Sequence, residues 1–128
     1  MDFRKFIESE GSLRDFILNT AKAKGFCDPA GVRGINCRLF TQVVANPDVD
    51  VHQYPEVSPE DLQVGDILIW GRYDGDFFEE GHYAFWLGDD EILEIPGYNK
   101  TMQVKKIRPS LATQYGRPVK IVRPNWAY

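Results

Sequence analysis

The chain is poor in the residues most often recruited for thiol, imidazole and metal chemistry. It holds two cysteines, Cys27 and Cys37, and two histidines, His52 and His82. None of them has the paired spacing of a tetrahedral metal site, so neither a structural zinc nor a cofactor is expected. Long apolar runs are missing too: no stretch approaches the roughly 20 residues that span a bilayer. The N-terminal MDFRKFIESEG is charged throughout and lacks the apolar stretch of a signal peptide. As given, the chain is therefore expected to be cytoplasmic, in a reducing compartment where Cys27 and Cys37 stay free thiols. A positive balance is also absent. Fifteen lysines and arginines face nineteen acidic residues, for a net charge of -4, and the cations are scattered apart from Lys105, Lys106 and Arg108. Such a field repels phosphate backbones and disfavours nucleic acid as a partner.

What is present suits an ordinary folded domain. With 43% hydrophobic and 13% aromatic residues, 128 positions suffice for a real core without staples, and one domain over 1–128 is expected. Phe3, Phe6 and Ile7 share one helical face. After Gly11 and Ser12, the residues Leu13, Phe16, Ile17 and Ala21 recur at spacings of three and four. Ser12 and Asp15 form a candidate capping box, and Gly25 is a suitable left-handed terminator. Pro29, Gly31 and Gly34 predict a loop. A further helix opens at Asn36 and Cys37, carries Leu39, Phe40, Val43 and Val44 as its apolar stripe, and stops at Asn46-Pro47.

Residues 47–65 read as an extended loop with a turn or short helix at SPEDL. The period then changes. Segments 66–70, 82–88, 91–95, 102–107 and 118–122 are short, β-branched or aromatic, and separated by turns, with a tight hairpin at Gly88, Asp89 and Asp90. Helices followed by strands predict an α+β domain, its antiparallel sheet covered on one face by the helices. That layout sets the helix bearing Cys37 against the strand bearing His82.

A helix N-terminus favours thiolate over thiol, so position alone favours a reactive Cys37. The plain alternative is packing, because free cysteine is among the most commonly buried residues. His82 opens an otherwise apolar strand, where an imidazole can keep one nitrogen outward as a base. In a hairpin turned at Asp89 and Asp90, Glu94 falls level with 83–85 and reaches His82 diagonally, or else faces solvent. Cys27 beside Asp28 is a weaker nucleophile candidate, His52 reads as an exposed loop residue, and Asp74, Asp76, Glu79 and Glu80 read as a solvated acidic loop rather than a calcium site. Phe77 and Phe78, in the loop before His82, are placed to rim a substrate groove.

Three segments resemble the NlpC/P60 and CHAP superfamily of cysteine peptidases and amidases, which share a papain-like core. DLQVGDILIW is similar to its L-x-P-G-D-x-x-x-[FW] strand motif, with Val64 where proline is usual. GHYAFWLGDDEILE resembles G-H-V-[GA]-[IF]-[YV]-x-G-[DN]-x-x-[IF]-[LIV]-[HE]. Around the cysteine, N-C-R-L-F is closer to the CHAP pattern [NQ]-C-T-x-[YF] than to the D-C-S-G of NlpC/P60, and a glutamate at 94 leans the same way. The resemblance implies N-terminal helices on a small antiparallel sheet, with Cys37 as nucleophile, His82 as base and Glu94 as the imidazole-orienting group. Arg38, Phe77, Phe78 and Tyr83 are then the candidates for substrate contact, Arg38 standing where a small residue is usual.

It further implies a hydrolase of peptide or amide bonds in cell-wall peptidoglycan, reaching its substrate through a phage lysis or secretion system or a delivery partner. Two alternatives stay open. One is a thiol amidase, deamidase or acyltransferase on an intracellular substrate, and the other a catalytically inactive binding or assembly module of the same fold.

Overall fold

The computed structural model describes residues 12–27, 36–74, 77–96, 100–107, 111 and 116–126. The expected helix around Phe3 and Phe6, the loop at Pro29–Gly34, Asp76, Arg108 and the side chains of 72–81 lie outside the described residues. Helix α1, Leu13–Ala23, is capped by Ser12, whose Oγ accepts the Asp15 N–H at 3.2 Å. Its other end closes as the sequence predicts. The Gly25 N–H reaches the Lys22 carbonyl, the Phe26 N–H reaches the Ala21 carbonyl, and Gly25 takes φ +86° between them. This is a Schellman closure, and the buried Phe26 supplies its apolar contact.

Helix α2, Cys37–Ala45, begins at the Asn36 cap, whose Oδ1 accepts the Leu39 N–H at 2.9 Å. Two 3-10 turns follow, at Val51–Gln53 and Pro59–Asp61. The second answers the predicted turn at SPEDL. The first was not legible: Asp50 caps it by accepting the His52 N–H at 2.8 Å, and the wholly buried Val51 pins it to the core.

Strands β1 (Ile67–Asp74), β2 (Phe77–Gly88), β3 (Glu91–Glu94), β4 (Gln103–Lys106) and β5 (Lys120–Val122) form, among the described residues, an antiparallel sheet of order β4-β3-β2-β1-β5. Asp89 and Asp90 both take positive φ, 52° and 61°, as a two-residue type I′ hairpin turn requires. The architecture is the predicted α+β layout. One correction concerns residues 71–80: the expected loop containing Phe77 and Phe78 is instead a two-stranded ribbon, with Gly71–Asp74 paired to Phe77–Glu80. The polar sequence of this segment lacks the alternation that marks a half-buried strand, so it did not read as one.

Strand alternation divides the apolar residues. Ile67, Ile69, Tyr83, Phe85 and Leu93 pack beneath Phe16, Ile17, Phe40 and Val44 of the helices, whereas Leu68, Trp70, Ala84 and Ile92 join Ile107, Leu111 and Ile121. The VGD of the β1 motif has a packing role. Gly65 sits at φ +95°, where a Cβ would lie 2.6 Å from Trp126 Nε1 and 2.7 Å from Leu13 Cδ2. The Gly65 carbonyl accepts the Trp126 indole N–H at 3.0 Å. Asp66, 1% exposed, is held by Arg123 through Nε at 2.8 Å and Nη2 at 3.0 Å, and accepts the Gln63 N–H at 2.8 Å.

Candidate active site

Helix α2 packs against β2, with Phe40 edge-on to Phe85 at 5.8 Å. Cys37 is the first residue of that helix, half-buried and seated against the helix-side core. His82 is reached just after an irregularity in β2: Trp70 pairs with His82 and Gly71 with Glu80, so Gly81 has no partner on β1. A bulge bends its strand and increases local twist, and this one lies directly before His82. The imidazole is hydrogen-bonded to the Cys37 side chain and, through Nε2, to Glu94 Oε1 at 2.9 Å.

Glu94 pairs with Ala84, two residues from His82 on the same face, so the contact is the diagonal one that the hairpin arithmetic predicts. Its second oxygen, Oε2, accepts the Gln103 side-chain amide at 2.9 Å. Trp70 lies across the strand pair from His82, its ring 5.6 Å away and tilted by 36°, with its indole N–H donated to the Leu111 carbonyl at 3.1 Å. Both His82 and Glu94 are nearly sealed from solvent, at 6% and 5% exposure.

These contacts decide the charge states. Burial works against an imidazolium at His82, but hydrogen bonds to Cys37 and Glu94, together with the electrostatic attraction of both groups, outweigh it and raise the pKa from 6.5 to about 9. Burial likewise works against a carboxylate at Glu94. Hydrogen bonds from His82 and Gln103 and the positive charges of His82 and Lys105 outweigh it, holding the group below its ordinary 4.5. An ionised carboxylate only accepts, so His82 Nε2 carries the proton on that side. The arrangement is an imidazolium held between a sulfur and a carboxylate at neutral pH.

Sequence reasoning brought Cys37, His82 and Glu94 together and missed Gln103. The other candidates separate. Arg38 is one-third exposed and its Nη2 donates to Asp50 Oδ2 at 2.9 Å. Phe77 and Phe78 belong to β2, and their side chains lie outside the described residues. Tyr83 is a correction: it is wholly buried, its ring in the helix-side core and its hydroxyl 2.6 Å from His52 Nε2, so it does not line a groove. Period-two alternation is the reason, since adjacent strand residues face opposite ways. His52 is corrected with it, being half-buried in a 3-10 turn. Cys27 is exposed, and both thiols are free. Among the described residues, no group of three or more His, Cys, Asp or Glu could hold a metal ion, and no helix is long and apolar enough to cross a membrane.

No family model and no curated protein matches the chain. Solved structures do. An NlpC/P60 family protein from Bacillus cereus ATCC 10987 superposes with a TM-score of 0.60 at 18% identity, covering 88% of this chain. This chain spans 40% of that protein's length. The NlpC/p60 domain of the peptidoglycan hydrolase SagA gives 0.55 at 21% identity, covering 87% of this chain and 98% of that domain. RipD from Mycobacterium tuberculosis, described as a non-catalytic NlpC/p60 domain protein adapted to peptidoglycan binding, gives 0.56 at 18%, covering 88% and 97%. All three are NlpC/P60 proteins, and the CHAP leaning of the cysteine segment has no counterpart in them. At these identities the likeness is one of architecture: the chain has the NlpC/P60 fold.

Proposed function

We propose that the chain is a cysteine hydrolase that cleaves peptide or amide bonds, with peptidoglycan as its substrate class, through Cys37, His82 and Glu94. The observation that carries this reading is the continuous contact from the Cys37 side chain through the His82 imidazole to Glu94. A nucleophile, a base and an orienting group in one line are the minimum for thiol acyl transfer.

With Nε2 committed to Glu94, Nδ1 is the nitrogen that serves the sulfur. The proton that Cys37 gives up resides there, which makes His82 the imidazolium described above, and the thiolate attacks the scissile carbonyl carbon. The oxyanion finds the Cys37 backbone N–H, one of the first-turn donors that a helix leaves without an intrahelical acceptor. Collapse of the tetrahedral species breaks the C–N bond as His82 returns its proton to the leaving amine, leaving a thioester on Cys37. Water, deprotonated by His82, then attacks the thioester, and its C–S bond breaks to release the acid and restore the thiolate beside the imidazolium. Glu94 orients the ring and offsets the imidazolium charge in each half-reaction.

The peptidoglycan assignment draws on SagA, a peptidoglycan hydrolase, and RipD, a protein adapted to binding peptidoglycan. It requires delivery to the wall, by a phage lysis system, a secretion apparatus or a partner. RipD also motivates a second reading, a peptidoglycan-binding module without turnover. One experiment separates the two: purified peptidoglycan is incubated with the wild type and with Cys37→Ala, and released amines are quantified. The hydrolase reading expects release by the wild type alone. Equal release by both proteins, or none by either while both bind the polymer, overturns it.

A further inference from the structure

Two side chains flank the reacting pair in sequence without belonging to it: Arg38 follows Cys37, and Tyr83 follows His82. They lie on different elements, yet one line of hydrogen bonds joins them. Arg38 Nη2 donates to Asp50 Oδ2 at 2.9 Å, Asp50 Oδ1 accepts the His52 backbone N–H at 2.8 Å, and His52 Nε2 meets the Tyr83 hydroxyl at 2.6 Å. The His52 and Tyr83 rings stand edge-on, 5.8 Å apart at 86°.

We propose that this line is a clamp that sets the tip of α2 against β2, with His52 and Tyr83 as positioning residues for the Cys37–His82 pair. The inference rests on the hydrolase reading of that pair. Its physical basis is the division of labour between packing and hydrogen bonds. The contacts of Phe40 and Val44 with the sheet hold α2 down, but apolar packing is non-directional and leaves the helix free to slide or rotate slightly. Hydrogen bonds restrict direction. A misplacement of about 1 Å between reacting groups costs about a hundredfold in rate, so a directional tie one residue from each partner has leverage on chemistry. The links differ in strength. The Arg38–Asp50 pair is one-third to one-half exposed and is screened by solvent, whereas the Tyr83 hydroxyl is buried, and its bond to His52 ties the 3-10 turn that packs beside α2 firmly to β2.

The test uses thiol chemistry, which needs no substrate. The full chain is treated with iodoacetamide near neutral pH, and alkylation of Cys37 and Cys27 is followed separately by peptide mass spectrometry, exposed Cys27 serving as internal reference. Wild-type Cys37 is expected to react faster than Cys27. Tyr83→Phe keeps the buried ring and deletes only the oxygen. It is expected to slow Cys37 about tenfold, within the cost of a small misplacement, while the Cys27 rate stays constant. His52→Ala is expected to do the same, and His52→Gln, whose amide can meet the Tyr83 hydroxyl, to recover most of the rate. Asp50→Asn, at a part-exposed position, is the second variant should His52→Ala fail to fold, and is expected to slow Cys37 more mildly. Unchanged Cys37 rates in folded Tyr83→Phe and Asp50→Asn overturn the clamp while leaving the hydrolase reading intact. A wild-type Cys37 no faster than Cys27 overturns both.

Discussion

Replacing Glu94 with glutamine keeps the length of the side chain and an oxygen for hydrogen bonding while removing the charge that faces the imidazolium. The His82 pKa stands at about 9 against an ordinary 6.5. That rise of about 2.5 corresponds to about 3.4 kcal/mol favouring the protonated ring, at about 1.36 kcal/mol per unit. Cys37 and Glu94 together supply it and burial opposes it, so their combined effect exceeds the net rise. Glu94 contributes both through its hydrogen bond and through its charge, so removing the charge takes away a substantial part of the rise. Glu94→Gln is therefore expected to bring the His82 titration midpoint down by about one pH unit or more, toward 6.5. The assay is proton NMR of the imidazole Cε1–H signals. The chain has two histidines, and the His52→Gln spectrum tells them apart. A midpoint that does not move on Glu94→Gln, or a wild-type midpoint near 6.5, would refute the claim that a buried carboxylate holds the proton on this ring.

The same two groups set a pH window for stability. Because the folded His82 pKa is raised, its contribution is complete below about 6.5 and is lost as pH climbs through about 9; because that of Glu94 is lowered, its contribution is complete above about 4.5 and is lost as pH falls through the depressed folded value. The thermal midpoint of the wild type should thus exceed that of His82→Gln most between about pH 4.5 and 6.5, and a gap independent of pH would contradict this. Gly65→Ala combines a left-handed backbone with a Cβ that would collide with Trp126 and Leu13. It is expected to lower stability by roughly 2–4 kcal/mol, measured by urea unfolding; an unchanged midpoint would show that Trp126 moves aside freely.

Local signals in the sequence proved the most readable. Ser12 and Asn36 cap their helices with the side-chain oxygens that their identities suggest, and Gly25 closes α1 in the left-handed conformation. The turn at Asp89 and Asp90 starts the β2–β3 pairing at Gly88 and Glu91, and an irregularity at Leu87, which the sequence did not reveal, shifts the register by one so that Glu94 faces Ala84 and lies diagonally from His82. Gln103 was hidden because the connection between β3 and β4 is longer than a tight turn, and a long connection does not set register. The burial of Tyr83 was available from alternation alone, since a strand cannot aim residues 82 and 83 at one site. Its partner was not, because nothing in the polar segment around His52 foretold that Val51 would anchor a 3-10 turn against the core.

The unpaired Gly81 also bears on how this scaffold can vary. It acts as a phase shifter between the outer ribbon, 71–74 with 77–80, and the inner sheet that carries His82. Changes that lengthen or shorten the ribbon beyond that point leave the pairing of Trp70 with His82 untouched, whereas deleting Gly81 itself lets the two pairing frames run on as one regular ladder and removes the local bend before His82. The outer hairpin is thereby free to diversify in length and reach while the imidazole keeps its aim.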